Sequence, residues 1–373
     1  MKTALCRELG IELPLFAFTR SPRVVVEVSK AGGMGVLGAI ATTAQQLEEK
    51  LAYIDAHVGG RPYGVDVVMP AGYVRAGGGQ GMGSAEDLHK MLPEEHRKFV
   101  DSLLAEHGVP PLPEGATTHD ALKGWTSSVS RRQVDIALEH PIALIANALG
   151  PPPADVVEAA HAKGVKIAAL IGSVEHARRQ VAAGVDIIVA QGTEAGGHCG
   201  EISTFVLVPA VVDAVGDVPV LAAGGVGTGG HIAAAVALGA QGVWTGSIWL
   251  TTAEAEASAP VQQKLLDAGY RDTVRSKAIS GKPARQLRTA WSDAWASKEN
   301  PAPLPMPLQF MLTAEAVARI HRHAEDTGEA IPLLTSPVGQ TVGRMNAIRP
   351  AADVIAQMVG ELEAARNRIA ELG

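Results

Sequence analysis

An apolar run that ends in a polar, glycine-rich turn decides the fold of this chain: Val185-Asp-Ile-Ile-Val-Ala190, followed by Gln191-Gly-Thr-Glu-Ala-Gly-Gly-His198-Cys-Gly200. The run has the length and composition of a buried strand. Parallel α/β folds place polar chemistry at the carboxyl ends of their strands. The glycines let a flat or anionic ligand approach the backbone, and the imidazole of His198 can move a proton near neutral pH. The stretch therefore predicts a strand with a functional site at its end.

The same alternation of a short apolar run and a helical pattern continues along most of the chain. Glycines stand where helix C-caps are expected, at Gly164, Gly184 and Gly239. The predicted helices include residues 43–57, 154–163, 174–183 and 231–238, and the predicted strands cover residues 14–18, 35–40, 63–69, 141–148, 165–171, 185–190, 218–223 and 242–250. A doubly wound sheet needs only about five or six strands. We therefore predict an α/β fold, a (β/α)8 TIM barrel with helical insertions over its carboxyl-terminal face.

Two regions interrupt this alternation. Residues 70–130 combine a glycine tract, a charged helical pattern and a Pro-rich stretch, so we expect a helical insertion after the third strand. Residues 252–308 follow the eighth strand, and we expect a helical segment placed to cover the site. The chain is thus divided into a barrel (1–251), a lid segment (252–308) and C-terminal helices that pack back on the barrel (309–373).

The composition narrows the classes of function. The 373 residues are 47% apolar and carry a net charge of −7, which argues against a nucleic-acid surface. The two cysteines, Cys6 and Cys199, lie too far apart in sequence to suggest a metal-ligand motif, and no disulfide framework is indicated. We expect no signal peptide and no membrane span. These features predict a soluble, cytoplasmic protein with a small-molecule substrate, and they leave open whether it is a homodimer.

A second glycine cluster and the end of the eighth strand predict a phosphate site. Gly224-Gly-Val-Gly-Thr-Gly-Gly230 lies between the seventh strand and a helix, where backbone N–H groups bind anions. Trp244-Thr-Gly-Ser247 lies in the eighth strand, and such barrels commonly grip phosphate after strands seven and eight. The glycine spacing also matches the dinucleotide fingerprint, but no acidic residue ends the next strand to hold a ribose. A phosphorylated cofactor is therefore predicted, without Rossmann-type binding.

His198 is the candidate catalytic residue. In isolation it would be read as a hydrogen-bonded loop histidine, but its place after a strand, beside Gln191 and Glu194, favours a functional role. Further ligands at suitable spacing are missing, so we expect no metal site. We interpret Cys199 as a small neighbour rather than a nucleophile.

These motifs together resemble the nitronate monooxygenase family, formerly called 2-nitropropane dioxygenases. The resemblance rests on Gln191–Gly200, on Ser29-Lys-Ala-Gly-Gly-Met-Gly-Val-Leu-Gly38, on Ala222-Ala-Gly-Gly-Val226 and on Ser280-Gly-Lys-Pro-Ala-Arg285. It implies a TIM barrel that holds FMN non-covalently, with a smaller helical part over the site. It also implies an enzyme that oxidises alkyl nitronates with O2 to a carbonyl compound and nitrite.

The resemblance assigns roles to individual residues. His198 would take the α-proton of a neutral nitroalkane or bind an anionic nitronate, and a pKa near neutral suits such a base. The family implies a set of cofactor-binding residues: Ala17, Phe18, Thr19 and Asp66 around the flavin, Gln191, Gly196 and Gly197 near its ring, and Gly224, Gly225, Trp244, Thr245, Gly246 and Ser247 at its phosphate.

This chain departs from the family's pattern at three places. Ala17-Phe-Thr-Arg20 stands where the family has an Ala-Pro-Met turn, Asp66 stands for an Asn, and Gly246-Ser-Ile248 stands for Gly-Thr-Arg. An ionised Asp66 could only accept hydrogen bonds, and Ile248 removes a cation from the expected phosphate site. The same fold also supports an NAD(P)H-dependent flavin reductase acting on a quinone, an enoyl thioester or another CoA ester. A third alternative is a phosphate-ligand binding or regulatory barrel without redox activity.

Overall fold

The chain folds around a closed barrel of eight parallel strands. The structure, a computed structural model, describes residues 2–69, 89–113 and 127–371. Neighbouring strands around the barrel follow the order β1-β2-β3-β4-β5-β6-β8-β9, and β9 pairs with β1 to close it. The barrel strands are β1 Leu15–Thr19, β2 Met34–Gly38, β3 Tyr63–Asp66, β4 Leu144–Asn147, β5 Lys166–Ile171, β6 Ile187–Gln191, β8 Val220–Ala223 and β9 Gly242–Thr245. The predicted TIM barrel is confirmed.

Side chains alternate between the barrel interior and its outer face, as the pleat of a strand requires. On β1, Phe16 belongs to the interior cluster, whereas Leu15 and Ala17 pack in the outer cluster under the helices. Helix α1 (Ala4–Glu8) adds Leu5 and Cys6 to the interior cluster. The alternation fixes which residues at the carboxyl ends of the strands can reach a ligand in the barrel.

Helices surround the barrel and begin and end largely where the sequence predicts. Thr43 caps α3 through a capping box with Gln46, and the predicted C-cap glycines Gly164, Gly184 and Gly239 all have positive φ. The further helices of the described residues are α2 Pro22–Lys30, α3 Ala44–His57, α4 Glu94–Glu106, α5 Ser127–Leu138, α6 Ala154–Ala162, α7 Val174–Ala182, α8 Thr204–Val215, α9 Gly229–Ala237, α10 Ala259–Asp267, α11 Ala290–Ala296, α12 Leu308–Thr327 and α13 Ala351–Ala370.

The predicted third and eighth strands were too long. The strand predicted over 242–250 ends at Thr245, and a 3₁₀ helix, Ser247–Thr251, follows it. The backbone turns at Gly246, with φ −138° and ψ −63°. The strand predicted over 63–69 ends at Asp66. Beyond it, the side chain of Asn147 accepts the N–H of Met69 at 2.9 Å in place of a ladder partner.

A small antiparallel sheet, absent from the sequence prediction, lies over the barrel. Its strands are β7 (Gly197–His198), β10 (Thr273–Ser276) and β11 (Ala284–Leu287), with β11 in the middle. His198 lies opposite Ala284 in the ladder. The histidine expected on a loop is therefore fixed in a short strand.

The segments after the barrel form a second hydrophobic cluster together with α4. Trp291 of α11, Leu265 of α10 and Ile320 of α12 are buried in it. By contrast, α13 lies against the barrel, with Ile355 and Met358 in the outer cluster.

The three-part division of the chain stays a prediction. Parts of the predicted insertion, residues 70–88 and 114–126, lie outside the described residues. None of the described helices has the length and apolarity needed to cross a bilayer.

Candidate active site at the carboxyl end of the barrel

The carboxyl ends of the strands bring several predicted site residues together. The alternation of each strand directs Phe18, Asp66 and Gln191 into the barrel opening, and Gly38 and Gly246 occupy equivalent inward positions. We call these five residues the mouth. They come from β1, β2, β3, β6 and the end of β9, so distant parts of the sequence meet there.

Phe18 forms an apolar wall of the mouth between two glycines. A Cβ on Gly38 would lie 2.9 Å from the ring of Phe18, so only glycine fits beneath the ring. On the other side, a Cβ placed on Gly246 would lie 3.9 Å from Phe18 Cδ1. Among the described residues, no protein contact therefore requires glycine at 246. The space over Gly246 suits a ligand.

Asp66 places a carboxyl group in this apolar setting. It lies between Gly38 of β2 and Ala146 of β4 in the strand register and is 5% exposed. Burial raises the pKa of this carboxyl from 3.8 to about 7. The sequence predicted a site residue at this position, but nothing in it indicated that burial would raise the pKa of the carboxyl.

Two of the glycines after β6 are required by contacts within the protein itself. A Cβ on Gly192 would lie 2.1 Å from Thr204 Oγ1, and one on Gly196 would lie 2.7 Å from the backbone of Val338. Gly197 differs: its φ is +75°, and apart from its two chain neighbours no described residue has a heavy atom within 4 Å of a Cβ there. Gly196 therefore packs against the protein, and Gly197 borders open space.

His198 is held by a serine from the motif that follows β10. Its Nε2 lies 2.7 Å from Ser280 Oγ, and Ser280 is buried. The Ser280 hydroxyl also lies 3.3 Å from the carbonyl oxygen of Lys282, to which it can donate. These contacts with Ser280 fix the orientation of the His198 ring.

The electrostatics of His198 differ from the sequence prediction. Burial, and secondarily the charge of Lys282, lower its pKa from 6.5 to about 4. The expectation of a base with a near-neutral pKa is therefore wrong for the unliganded protein. The ring is neutral at pH 7, so it can accept a proton, and a nearby anion would raise its pKa.

The glycine cluster after β8 lies where the phosphate site was predicted, but one predicted anion-binding group is already occupied. The N–H of Gly229, at the start of α9, donates to Glu361 Oε2 of α13 at 2.9 Å. A carboxylate of the protein thus occupies the positive end of this helix. Gly224 and Gly225 both have positive φ and lie against Glu194 and Thr204.

Ser247 stays in a position to hold an anion. Its Oγ accepts the N–H of Gly339 at 2.8 Å, which leaves its own hydroxyl proton for another acceptor. It is the first residue of the 3₁₀ helix, and the terminus of a helix carries unsatisfied N–H groups. Ser247 is therefore the best-placed side chain among those predicted at the phosphate.

Four of the residues predicted to bind the cofactor have side chains that are not directed into the mouth. Ala17 packs in the outer cluster, and Thr19 Oγ1 accepts the N–H of Ser21. Trp244 stacks on Phe16 inside the barrel, with ring centroids 6.4 Å apart. Thr245 donates to the carbonyl of Phe16 at 2.9 Å. Strand alternation turns Ala17, Thr19 and Thr245 away from the barrel opening, since adjacent residues cannot all face one ligand. Trp244 faces inward, but it lies deeper in the barrel than Gly246.

A segment that the sequence analysis missed forms another wall of the site. Residues 336–344, which we call the C-terminal wall, include a 3₁₀ helix, Gln340–Arg344. The N–H of Gln340 donates to the carbonyl of Glu194 at 2.9 Å. Gly339 is required there, because its Cβ would lie 2.6 Å from that same oxygen. The glycines of the C-terminal wall were the only feature of its sequence that could have indicated this role.

Cys199 is a poor candidate for a nucleophile. Burial is the main reason that the pKa of the Cys199 thiol is raised, which disfavours the nucleophilic thiolate. Within the part of the chain that the structure describes, no cluster of His, Cys, Asp and Glu is arranged to hold a metal ion.

Comparison with known proteins agrees with this arrangement. The nitronate monooxygenase family matches residues 9–361. The chain belongs to this family. A Mycobacterium tuberculosis protein named "Putative monooxygenase Rv1533" is 50% identical, over 97% of this chain and 96% of that protein.

Two solved structures share the fold over nearly their whole length. The nitroalkane oxidase of Streptomyces ansochromogenes is 26% identical with a TM-score of 0.76, covering 96% of this chain and 98% of its own. FabK of Thermotoga maritima is 25% identical with a TM-score of 0.74, and each chain is fully covered. Membership of the nitronate monooxygenase family makes this protein a flavin-dependent oxidoreductase that acts on a small molecule.

The residues of the mouth fit a flavin. A flat ring system can use the apolar face of Phe18 and the open space over Gly197 and Gly246. Polar atoms at a ring edge can pair with the amide of Gln191 or the carboxyl of Asp66. Both side chains are directed into the barrel opening, where they place polar groups beside the apolar wall formed by Phe18.

Proposed function

We propose that this member of the nitronate monooxygenase family uses FMN to oxidise alkyl nitronates with O2 to a carbonyl compound and nitrite. The observation that carries the proposal is His198: a neutral imidazole bound to Ser280, beside the open space over Gly197. The likeness to the nitroalkane oxidase of Streptomyces ansochromogenes supports this substrate class.

The cofactor would be held by groups from several strand ends. Phe18, Asp66, Gln191 and Gly197 would surround the ring system. The phosphate would bind near Ser247, whose hydroxyl has a proton to donate, and near the backbone of Gly224 and Gly225. FMN rather than a flavin without phosphate is proposed because these anion-binding groups lie after β8 and β9.

His198 would handle the substrate proton. A neutral imidazole can take the α-proton of a nitroalkane. The imidazolium so formed would be stabilised through its Nε2–H, which donates to Ser280 Oγ, while Ser280 donates to the carbonyl of Lys282. An already anionic nitronate needs no base, and the same ring would then only bind it.

The bound flavin would accept electrons from the substrate and pass them to O2. Two nitronate anions and one O2 together contain the atoms and charge of two carbonyl molecules and two nitrite ions. The reaction therefore needs no external reductant. This balance separates it from a reductase, which consumes NADH or NADPH.

The decisive experiment follows the visible spectrum of the purified protein. Under anaerobic conditions, an alkyl nitronate should bleach the flavin, whereas NADH and NADPH should not; in air, O2 uptake should accompany nitrite release. Rapid bleaching by NADPH without nitrite formation would instead indicate a reductase of a quinone, an enoyl thioester or another CoA ester. A colourless protein that does not take up FMN would contradict both assignments.

The variant His198→Asn tests the role of the imidazole. Asparagine keeps polar character at this position but cannot act as a base near neutral pH. We expect flavin binding to persist, turnover of neutral nitroalkanes to fall by about 100-fold or more, and turnover of anionic nitronates to change much less. Steady-state nitrite assays with both substrate forms measure this. Full activity on neutral nitroalkanes would remove His198 from the role of base.

A further inference from the structure

Asp66 is a buried carboxyl group that the proposed reaction does not use. It is the last residue of β3, and its side chain points into the barrel because Tyr63 and Val65 of the same strand pack outward. Its register neighbours, Gly38 and Ala146, bring no polar side chain beside it. The carboxyl thus ends a strand at the place where the flavin is proposed to bind.

No side-chain hydrogen bond or ion pair engages the Asp66 carboxyl within the described residues. Other carboxylates of the fold are paired: Asp55 receives the hydroxyl of Tyr63 at 2.5 Å and contacts His140 at 2.6 Å, and Glu194 caps α8 through Thr204. An ionised carboxylate in an apolar interior is costly without a partner. The neutral acid, which carries one O–H donor, is the form that suits this place.

The charged groups around Asp66 do not replace such a partner. On the strands of the barrel, the other titratable residues are Tyr63, which faces outward, and Lys166, at the start of β5 and paired with Glu8 at 2.6 Å. Neither flanking strand, β2 or β4, carries a titratable residue. Among the described residues, the charged or titratable groups beyond the strand ends include Arg20, whose Cγ approaches Gly38, Glu194, which caps α8, and His198 with Lys282.

We propose that Asp66 serves as a neutral carboxylic acid that donates its proton in a hydrogen bond to an acceptor atom of the bound flavin. The proposal rests on the flavin cofactor of the proposed function. It gives Asp66 the donor role that an asparagine amide could fill at the same position, but with a proton that can be lost. Flavin binding and the protonation of Asp66 are then linked.

The linkage has a definite sign. In the unliganded protein, burial places the pKa of Asp66 at about 7, so the carboxyl loses its proton as the pH rises above that value. A flavin that requires the proton must then bind more weakly by about tenfold for each further pH unit. Below pH 7 the affinity should not depend on this group.

The test compares the wild type with Asp66→Asn, which offers an amide N–H that cannot ionise. The dissociation constant of FMN for the deflavinated proteins is measured by fluorescence quenching between pH 5.5 and 9. Between pH 7.5 and 8.5 we expect the wild-type constant to rise about tenfold relative to that of the variant. The ratio of the two dissociation constants cancels effects that are common to both proteins, such as titration of the FMN phosphate. Parallel pH profiles, or stronger binding to the wild type at high pH, would overturn the proposal.

A second measurement needs no variant. Infrared difference spectra of the wild type, with and without FMN at pH 8, should show a carboxylic-acid carbonyl band appearing on binding, with a shift in D2O. Loss of such a band on binding would contradict the proposal even if Asp66→Asn failed to fold. If the wild type bound no FMN at any pH, the proposed flavin function would fail first. If FMN bound with no change in any carboxylic-acid band, only the role of Asp66 would fail.

Discussion

At the scale of single residues, burial shifts the pKa values of two ionisable groups of the site in favour of their neutral forms. The pKa of Asp66 is raised and that of His198 is lowered, and desolvation is the largest cause in both. In each case the charged form loses the solvation that water would provide. Between about pH 4 and pH 7 both groups are therefore mostly neutral and can exchange protons with a ligand.

Lys282→Met should raise the pKa of His198. The charge of Lys282 is the second cause of the lowered pKa, so its removal stabilises the imidazolium. Burial remains, and the pKa should therefore stay below 6.5. Titration of the ring by NMR in the deflavinated protein measures the change. Lys277→Met is the matched control, since this exposed lysine of the same segment is not a cause of the shift. A pKa that falls or stays constant in Lys282→Met would contradict the assignment.

At the scale of elements, the C-terminal wall closes the site by backbone contacts that only glycine permits. Gly339 donates to Ser247 Oγ, and the neighbouring Gln340 N–H donates to the carbonyl of Glu194. One short segment thus joins the loop after β6 to the 3₁₀ helix after β9. The predicted phosphate site depends on this junction.

Gly339→Ala should weaken the junction. The added Cβ would lie 2.6 Å from the carbonyl oxygen of Glu194, a backbone atom that cannot rotate away. We expect a loss of stability of about 1–3 kcal/mol, as for other overpacked sites, together with weaker FMN binding. Urea denaturation and FMN titration measure the two effects. In the control, Gly360→Ala on α13, the new Cβ would meet no atom within 4 Å. Equal behaviour of the two variants would exclude the steric argument.

The sequence predicts the elements better than it predicts the site. Apolar runs in the sequence predicted the positions of all eight barrel strands. These strands are buried on both faces, so their apolar runs can be recognised without knowledge of their tertiary neighbours. The site residues were taken from contiguous motifs, and alternation then separated them: Phe18 faces the mouth, whereas Ala17 and Thr19 do not. The C-terminal wall meets Gly196 and Ser247 from far along the chain, so no local pattern could reveal it. The pKa of Asp66 depends on this tertiary burial as well.

At the scale of the whole molecule, the C-terminal region contributes to both hydrophobic clusters. Helix α12 packs in the second cluster, and α13 returns to the barrel, where Glu361 accepts the N–H of Gly229. The barrel and the segments that cover its mouth are therefore stabilised by the same stretch of chain. A change in the global stability of the protein should therefore also affect the site.

The buried Asp66 should impose a pH dependence on the stability of the deflavinated protein. Its pKa is higher in the folded state, about 7, than the value of 3.8 expected on unfolding. The folded state therefore binds the proton more tightly, and the stability from this group is fully present below pH 4 and is lost as the pH rises towards 7. The loss amounts to at most about 4 kcal/mol for a shift of this size.

Asp66→Asn removes this titration and should therefore change the pH dependence of stability. Relative to the wild type, the variant should gain stability as the pH rises from 4 to 8, and the gain should level off above about pH 7. Thermal unfolding midpoints of the deflavinated proteins across this range measure the difference, since bound flavin would add its own pH-dependent stabilisation. A difference between the two proteins that is independent of pH would mean that Asp66 is ionised in the folded state at the same pH as in the unfolded chain.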